Sequence, residues 1–196
     1  MSLAVVVISH DKRLDKLGEV VRSILWQRPD ELVIVADSAR PTDWPKCGRG
    51  ERWLTVAPVT MTTLDALIKR DVGWMATTSD YICYLADDHA LAPGFVTAFH
   101  LRYAYKEWDI LCPQRFCICE NAEVPLNVGQ REGYAGGHCA IYKRWVNHEL
   151  PWMAGAHHPN WDVLSTQAQI AAGAKLAYAD RDLLIEDLEP EREPWR

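Results

Sequence analysis

The chain has 196 residues, 48% of them hydrophobic and 24% charged, with a formal charge of −6. That is the composition of an ordinary globular protein with enough chain to bury a substantial core as one domain. An acidic balance without any basic stripe argues against a nonspecific nucleic-acid binder, which must neutralise phosphates. No apolar run approaches the length of a membrane span, and Val5 to Ile8 is too short for a secretory core, so the expected compartment is the cytoplasm. The six cysteines include no CxxC pair, which disfavours zinc. Cys83 and Cys139 fall in apolar strand-like runs, so buried reduced thiols and no disulfides are expected.

The first element is a buried strand over Leu3–Ile8, ended by Ser9-His10-Asp11. Leu14, Leu17, Val20, Val21, Ile24 and Leu25 recur at three- and four-residue spacing and give one helix an apolar face, closed by Arg28-Pro29-Asp30. A second buried strand, Glu31–Ala36, ends on Asp37-Ser38, and strand–helix–strand over about forty residues predicts a parallel βαβ unit. Ala39 to Gly50 reads as loop, Trp53–Val56 as a short third strand, and Thr62 or Thr63 as the cap of a helix running to about Trp74 or Met75. Asp80 to Leu85 is a further strand, and Pro93 to about Trp108 a helix. Asp109–Cys112, Phe116–Cys119 and His138–Tyr142 read as strands, with a short helix starting at Lys143-Arg144-Trp145. A polar, glycine-containing loop is expected over Glu120–Gly137, a helix over Asp162 to about Ala172 ended by Gly173, and late strands over Lys175–Tyr178 and Leu183–Ile185. A charged tail occupies 186–196. The whole reads as a single α/β domain with a mostly parallel central sheet.

Chemistry concentrates where Tyr81-Ile82-Cys83-Tyr84-Leu85 runs into Ala86-Asp87-Asp88-His89. Ligands of open α/β sheets bind outside the carboxyl ends of the strands. Two adjacent carboxylates there repel, and a divalent metal carrying phosphate oxygens is a natural counter-charge. Asp37, at the end of the second strand, can accept two hydrogen bonds from a base or ribose, and Ser9 and His10 line the same edge. Of the nine tryptophans, Trp44, Trp53, Trp152 and Trp161 lie in or beside loops, where an exposed ring would stack on a base or sugar; most are expected in the core.

The order and spacing of these features resemble the family 2 glycosyltransferases, which have the GT-A fold. The residues that carry the resemblance are Val5–Ile8, the Ser-x-x-x-Gln of Ser23 and Gln27, Val33–Ser38, Arg70-Asp71-Val72-Gly73, Tyr81–Asp88, Pro93, Gly136-Gly137 through Tyr142-Lys143-Arg144, and Asp162 with Gly173 eleven residues on. The resemblance spans Val5 to about Ile185 and implies a nucleotide-binding half near 1–93 and an acceptor-binding half near 94–185. It implies a nucleoside diphosphate sugar donor, a UDP-sugar first, and a divalent Mn²⁺ or Mg²⁺ held by Asp88. Ser9, His10, Asp37, Arg70, Asp71 and Asp87 would serve the donor, with Arg70 at the diphosphate. Asp162 would be the general base of an inverting displacement. Gly136, Gly137, Trp161 and His158 would stand on the acceptor side. The acceptor itself is open: a glycan, a protein, a small molecule or a modified nucleic-acid base.

Three departures bear on activity: a histidine near the family's carboxyl terminus, sometimes a metal ligand, has no counterpart here, where Glu186 or Asp187 sits near that place, and the other two are substitutions. Ala86 replaces the first Asp of the family's metal motif, and Trp161 replaces the Glu of its Glu-Asp pair. They keep open a noncatalytic nucleotide-sugar-binding domain as an alternative. A nucleotidyltransferase is the other rival, although the first strand is followed by no glycine until Gly18.

Overall fold

The computed structural model describes residues 1–10, 14–42, 44, 51–59, 62–117, 122–123, 139–149 and 161–188. In chain order the elements are β1 (Leu3–Ile8), α1 (Leu14–Gln27), β2 (Glu31–Ala36), β3 (Glu51–Thr55), α2 (Thr62–Ala76), β4 (Tyr81–Ala86), β5 (His89–Leu91) and α3 (Phe95–Ala98). A π-helical turn (Phe99–Tyr103) follows, then β6 (Ile110–Cys112), β7 (Gln114–Cys117), β8 (Ala122–Glu123), β9 (Ile141–Lys143), α4 (Arg144–Glu149), α5 (Trp161–Ala171), β10 (Leu176–Tyr178) and β11 (Leu184–Asp187).

Seven strands form the central sheet in the order β10-β6-β9-β4-β1-β2-β3. All the pairings are parallel except those of β9, which runs antiparallel between β4 and β6. β1, β4 and the Leu32–Ala36 part of β2 are apolar because both faces are covered, as in sheets flanked by helices. Val5, Val7, Ile34, Cys83 and Leu85 pack on one side with α1 residues Leu17, Val20, Val21 and Ile24. Val6, Ile8, Val33, Val35, Ile82 and Tyr84 pack on the other. α2 comes so close on that second side that a Cβ at Gly73 would overlap Val6 Cγ1. This is the physical reason for a glycine in Arg70-Asp71-Val72-Gly73.

A second sheet has the order β5-β11-β7-β8. It holds the strand that leaves Asp88. β5 is also fastened to α1: Leu91 donates its N–H to Ser23 Oγ at 3.1 Å, and Gln27 Nε2 donates to the Leu91 carbonyl at 3.0 Å. Gln27 Oε1 accepts the Val96 N–H at 3.2 Å, so the Ser-x-x-x-Gln spacing places two side chains on one helix face to clamp the segment after Asp88.

Most expected elements are present with edges moved by a few residues. The single helix expected from Pro93 to Trp108 is instead one α-turn and the π-turn, in which Ala104 N–H reaches back to the Phe99 carbonyl at 3.0 Å. There Phe99 packs edge-on against Tyr81 and Trp108, and Trp108 Nε1 donates to the Tyr103 carbonyl at 2.8 Å. The strand expected over His138–Tyr142 begins only at Ile141. Trp44 and Trp53 pack edge to face beside the core, and Trp53 Nε1 donates to the Ser38 carbonyl at 3.0 Å. Cys83, Cys112 and Cys139 are buried thiols. Among the described residues no helix is long and apolar enough to cross a membrane.

Candidate active site

The carboxyl ends of β1, β2 and β4 lie side by side, because β1 pairs with both neighbours in parallel. Ser9-His10, Asp37-Ser38 and Asp87-Asp88 are therefore brought to one edge. The His10 N–H donates to Asp87 Oδ2 at 2.8 Å, and Asp87 is only 1% exposed. Asp87 thus ties the end of β4 to the end of β1. Ser9 is buried, its N–H bonded to the Val35 carbonyl at 2.9 Å, and its Oγ has no hydrogen-bond partner among the described residues.

Two residues absent from any motif organise the β1–β2 side. Lys69 on α2 is completely buried, and its ammonium lies 3.1 Å from the Ser9 carbonyl, 3.1 Å from His10 Nδ1 and 2.7 Å from Asp65 Oδ2. It also forms a close ion pair with Asp37 Oδ1. Asp65, itself buried, accepts the Val59 N–H at 2.9 Å. The sequence signal was a Lys four residues after an Asp on a helix, a spacing that usually marks only an exposed pair. His10, Asp37 and Asp65 place ligand atoms within 4.8 Å of one another, as a metal site does. Their centre is filled by the Lys69 ammonium, which already supplies the positive charge; a second cation there would face it at contact distance.

Asp88 lies on the other side of the edge. Its Oδ1 is 2.6 Å from His89 Nδ1, and its carbonyl accepts the Leu188 N–H at 2.9 Å. Arg115 on β7 approaches His89 Nε2 at 3.2 Å. A guanidinium has no acceptor atom, so Nε2 presents its lone pair there. β11 runs antiparallel to β5 with Asp187 opposite His89, one residue from Asp88. The backbone thereby brings together two aspartates that are far apart in sequence. The Asp88 carboxylate is an oxygen donor of the kind that suits Mn²⁺ or Mg²⁺, so Asp88 fits the metal that the resemblance implies.

Arg70, which the resemblance puts at the diphosphate, lies against two aromatic rings. It is 2% exposed, with its guanidinium 4.1 Å from the Tyr84 ring centroid and 4.5 Å from that of Tyr142. One residue along a helix turns the side chain by about 100°, which takes Arg70 from the Lys69 cluster into the aromatic layer. Asp71 is half-buried, and that burial pushes its carboxyl above the ordinary range. Trp161 and Asp162 open α5. Gly136, Gly137 and His158 lie outside the described residues.

No protein-family model matches the sequence, and no curated protein matches it. Among solved structures, residues 1–349 of S. aureus TarS superpose with a TM-score of 0.73 at 12% identity, covering 95% of this chain and 60% of that one. The same TarS fragment in complex with UDP-GlcNAc gives a TM-score of 0.72 at 14% identity, over 98% of this chain and 60% of that one. The fold is GT-A. A longer TarS structure gives 0.69 at 12% identity, with 36% of its length covered. This GT-A chain thus spans well under two thirds of each of these neighbours, and at such identity the likeness is one of fold.

Proposed function

We propose that the chain is a glycosyltransferase that takes its sugar from a nucleoside diphosphate sugar, a UDP-sugar first. The observation that carries this reading is the convergence of Ser9, His10, Asp37, Asp87 and Asp88 at three adjacent strand ends of a GT-A sheet. That a neighbour superposing over 98% of the chain was solved with UDP-GlcNAc supports it. In this reading Ser9, His10 and Asp37 receive the nucleoside, and the orphaned Ser9 Oγ has a hydrogen bond to gain from it. Asp87 holds β4 in register with the pocket, and Asp71 stands on the donor side.

Asp88 would hold Mn²⁺ or Mg²⁺. That ion would neutralise the charge that develops on the departing diphosphate. Asp162, in the first turn of α5, accepts the acceptor hydroxyl's proton. The hydroxyl oxygen then bonds to the anomeric carbon from the face opposite the leaving group. The carbon–oxygen bond to phosphate breaks, and its electron pair leaves with the diphosphate, giving inversion. Gly136, Gly137, Trp161 and His158 would serve the acceptor, a glycan, a protein, a small molecule or a modified nucleic-acid base.

Titration calorimetry with UDP and GDP, with and without Mn²⁺, tests the reading. Metal-dependent binding that Asp88→Asn removes is the expected result, and no nucleotide binding under any condition overturns it. The noncatalytic alternative keeps one specific support, the departures at Ala86 and Trp161. It predicts that Asp162→Asn changes nothing, whereas the transferase reading predicts lost turnover with donor binding intact.

A further inference from the structure

Lys69 is a buried cation in an enzyme-like pocket that no motif accounts for. Its ammonium carries three donors and no acceptor, yet four acceptors surround it: the Ser9 carbonyl, His10 Nδ1, Asp65 Oδ2 and Asp37 Oδ1. At 3.1 Å from a group that only donates, His10 Nδ1 presents its lone pair. The competing arrangement, a proton on Nδ1, would reach Asp65 Oδ2 at 3.4 Å and Asp37 Oδ2 at 3.6 Å. Those separations exceed the ~3.2 Å limit of an ordinary N–H···O bond, and two donors would then face each other across the shorter gap. The proton of a neutral His10 therefore sits on Nε2. The side chain is 35% exposed. With the Nδ1 edge engaged, the opposite edge is the one left to the pocket.

We propose that Lys69 is a positioning residue for this pocket: it fixes His10 as the Nε2–H tautomer and Asp37 as a charged acceptor beside it. The strand ends then offer a ligand one fixed donor and one fixed acceptor. Adjacent acceptor and donor atoms of that kind occur on a nucleobase edge and on a ribose hydroxyl. What the pair meets rests on the nucleotide reading above; the tautomer itself does not.

The test is long-range ¹⁵N–¹H correlation NMR of the whole labelled chain at pH 8, with the His10 signals assigned from their loss in His10→Gln. His10 as the Nε2–H form is expected in the wild type, and an Nδ1–H form overturns the proposal. In Lys69→Met the fixed tautomer should give way to a mixture; an unchanged Nε2–H signal means that Lys69 is not the cause, and the proposal falls. Should that variant not fold, the affinities of two His10 variants for UDP decide. His10→Gln keeps an N–H donor and should bind within about threefold of wild type. His10→Phe keeps the flat ring without the donor and should lose about tenfold, the worth of one hydrogen bond. Full affinity in His10→Phe would make the ring a mere wall and overturn the donor role. In a wild type that binds neither UDP nor GDP, the nucleotide reading falls while the His10 spectrum still decides the tautomer.

Discussion

Replacing Arg70 by Met separates a structural cation from a diphosphate ligand. The guanidinium lies 4.1 and 4.5 Å from the Tyr84 and Tyr142 ring centroids and is almost sealed from water. Burial pushes the Tyr84 phenol well above its ordinary range, so the ring meets Arg70 as a neutral π-face. A desolvated cation–π contact contributes about 2 kcal/mol. Two such contacts give about 4, from which the apolar burial regained by Met, about 1–2 kcal/mol, must be subtracted. The expected net loss is about 2–3 kcal/mol. Urea unfolding reads it directly: with a slope of about 2 kcal/mol per molar, the midpoint falls by about 1–1.5 M at constant slope. UDP affinity, measured below the new midpoint, should stay within about twofold, since no nucleotide contact has been removed. A variant as stable as wild type that binds UDP tenfold more weakly would refute this account and return Arg70 to the diphosphate.

Gly73→Ala should destabilise by about 1–3 kcal/mol, the usual cost of forcing one methyl into a packed core, because the added Cβ overlaps Val6 Cγ1; thermal unfolding checks it, and an unchanged midpoint would mean that α2 can lift off β1. Glu31→Gln should cost about 1–2 kcal/mol at pH 7 and progressively less under acid. Burial works against the Glu31 charge, but hydrogen bonds from Ser79 and Thr78 outweigh it and hold the carboxyl below its usual 4.5. A lowered folded value gives stability that is complete above the unfolded value and is lost as pH falls through the folded one. The gap between the wild-type and variant unfolding curves should therefore narrow as pH is lowered below 4.5, and a gap that stays constant on acidification would refute the role of the charge.

The parts of the fold that were legible in the sequence are those written locally. The runs Leu3–Ile8, Glu31–Ala36 and Tyr81–Ala86 announce strands buried on both faces, and the 3.6-residue spacing of α1 announces its core side. Their polar endings, Ser9-His10, Asp37 and Asp87-Asp88, could be placed on one edge from strand order alone. What escaped was set by partners distant in the chain. β5 has three residues and exists through pairing with β11, nearly a hundred positions away. The π-turn at Phe99–Tyr103 answers to Tyr81 and Trp108, not to its own helical pattern. Lys69 reads locally as a helical lysine, and only the resemblance put Arg70 at the diphosphate. Their surroundings are set by which side of α2 meets the strand ends and which meets the two tyrosines.

The antiparallel strand β9 gives the molecule an order of assembly. β4 can pair with β1 as soon as both have been made, but its other side is completed only by Ile141–Lys143. Until that stretch has left the ribosome, an apolar strand bearing the catalytic-looking carboxylates keeps an open edge, the kind of surface on which nascent chains pair wrongly. β5 waits longer still, for Leu184–Asp187. The surroundings of Asp88 are thus completed only once Leu184–Asp187 has been made, and a chain interrupted before residue 184 would carry the acidic pair without the strand that frames it.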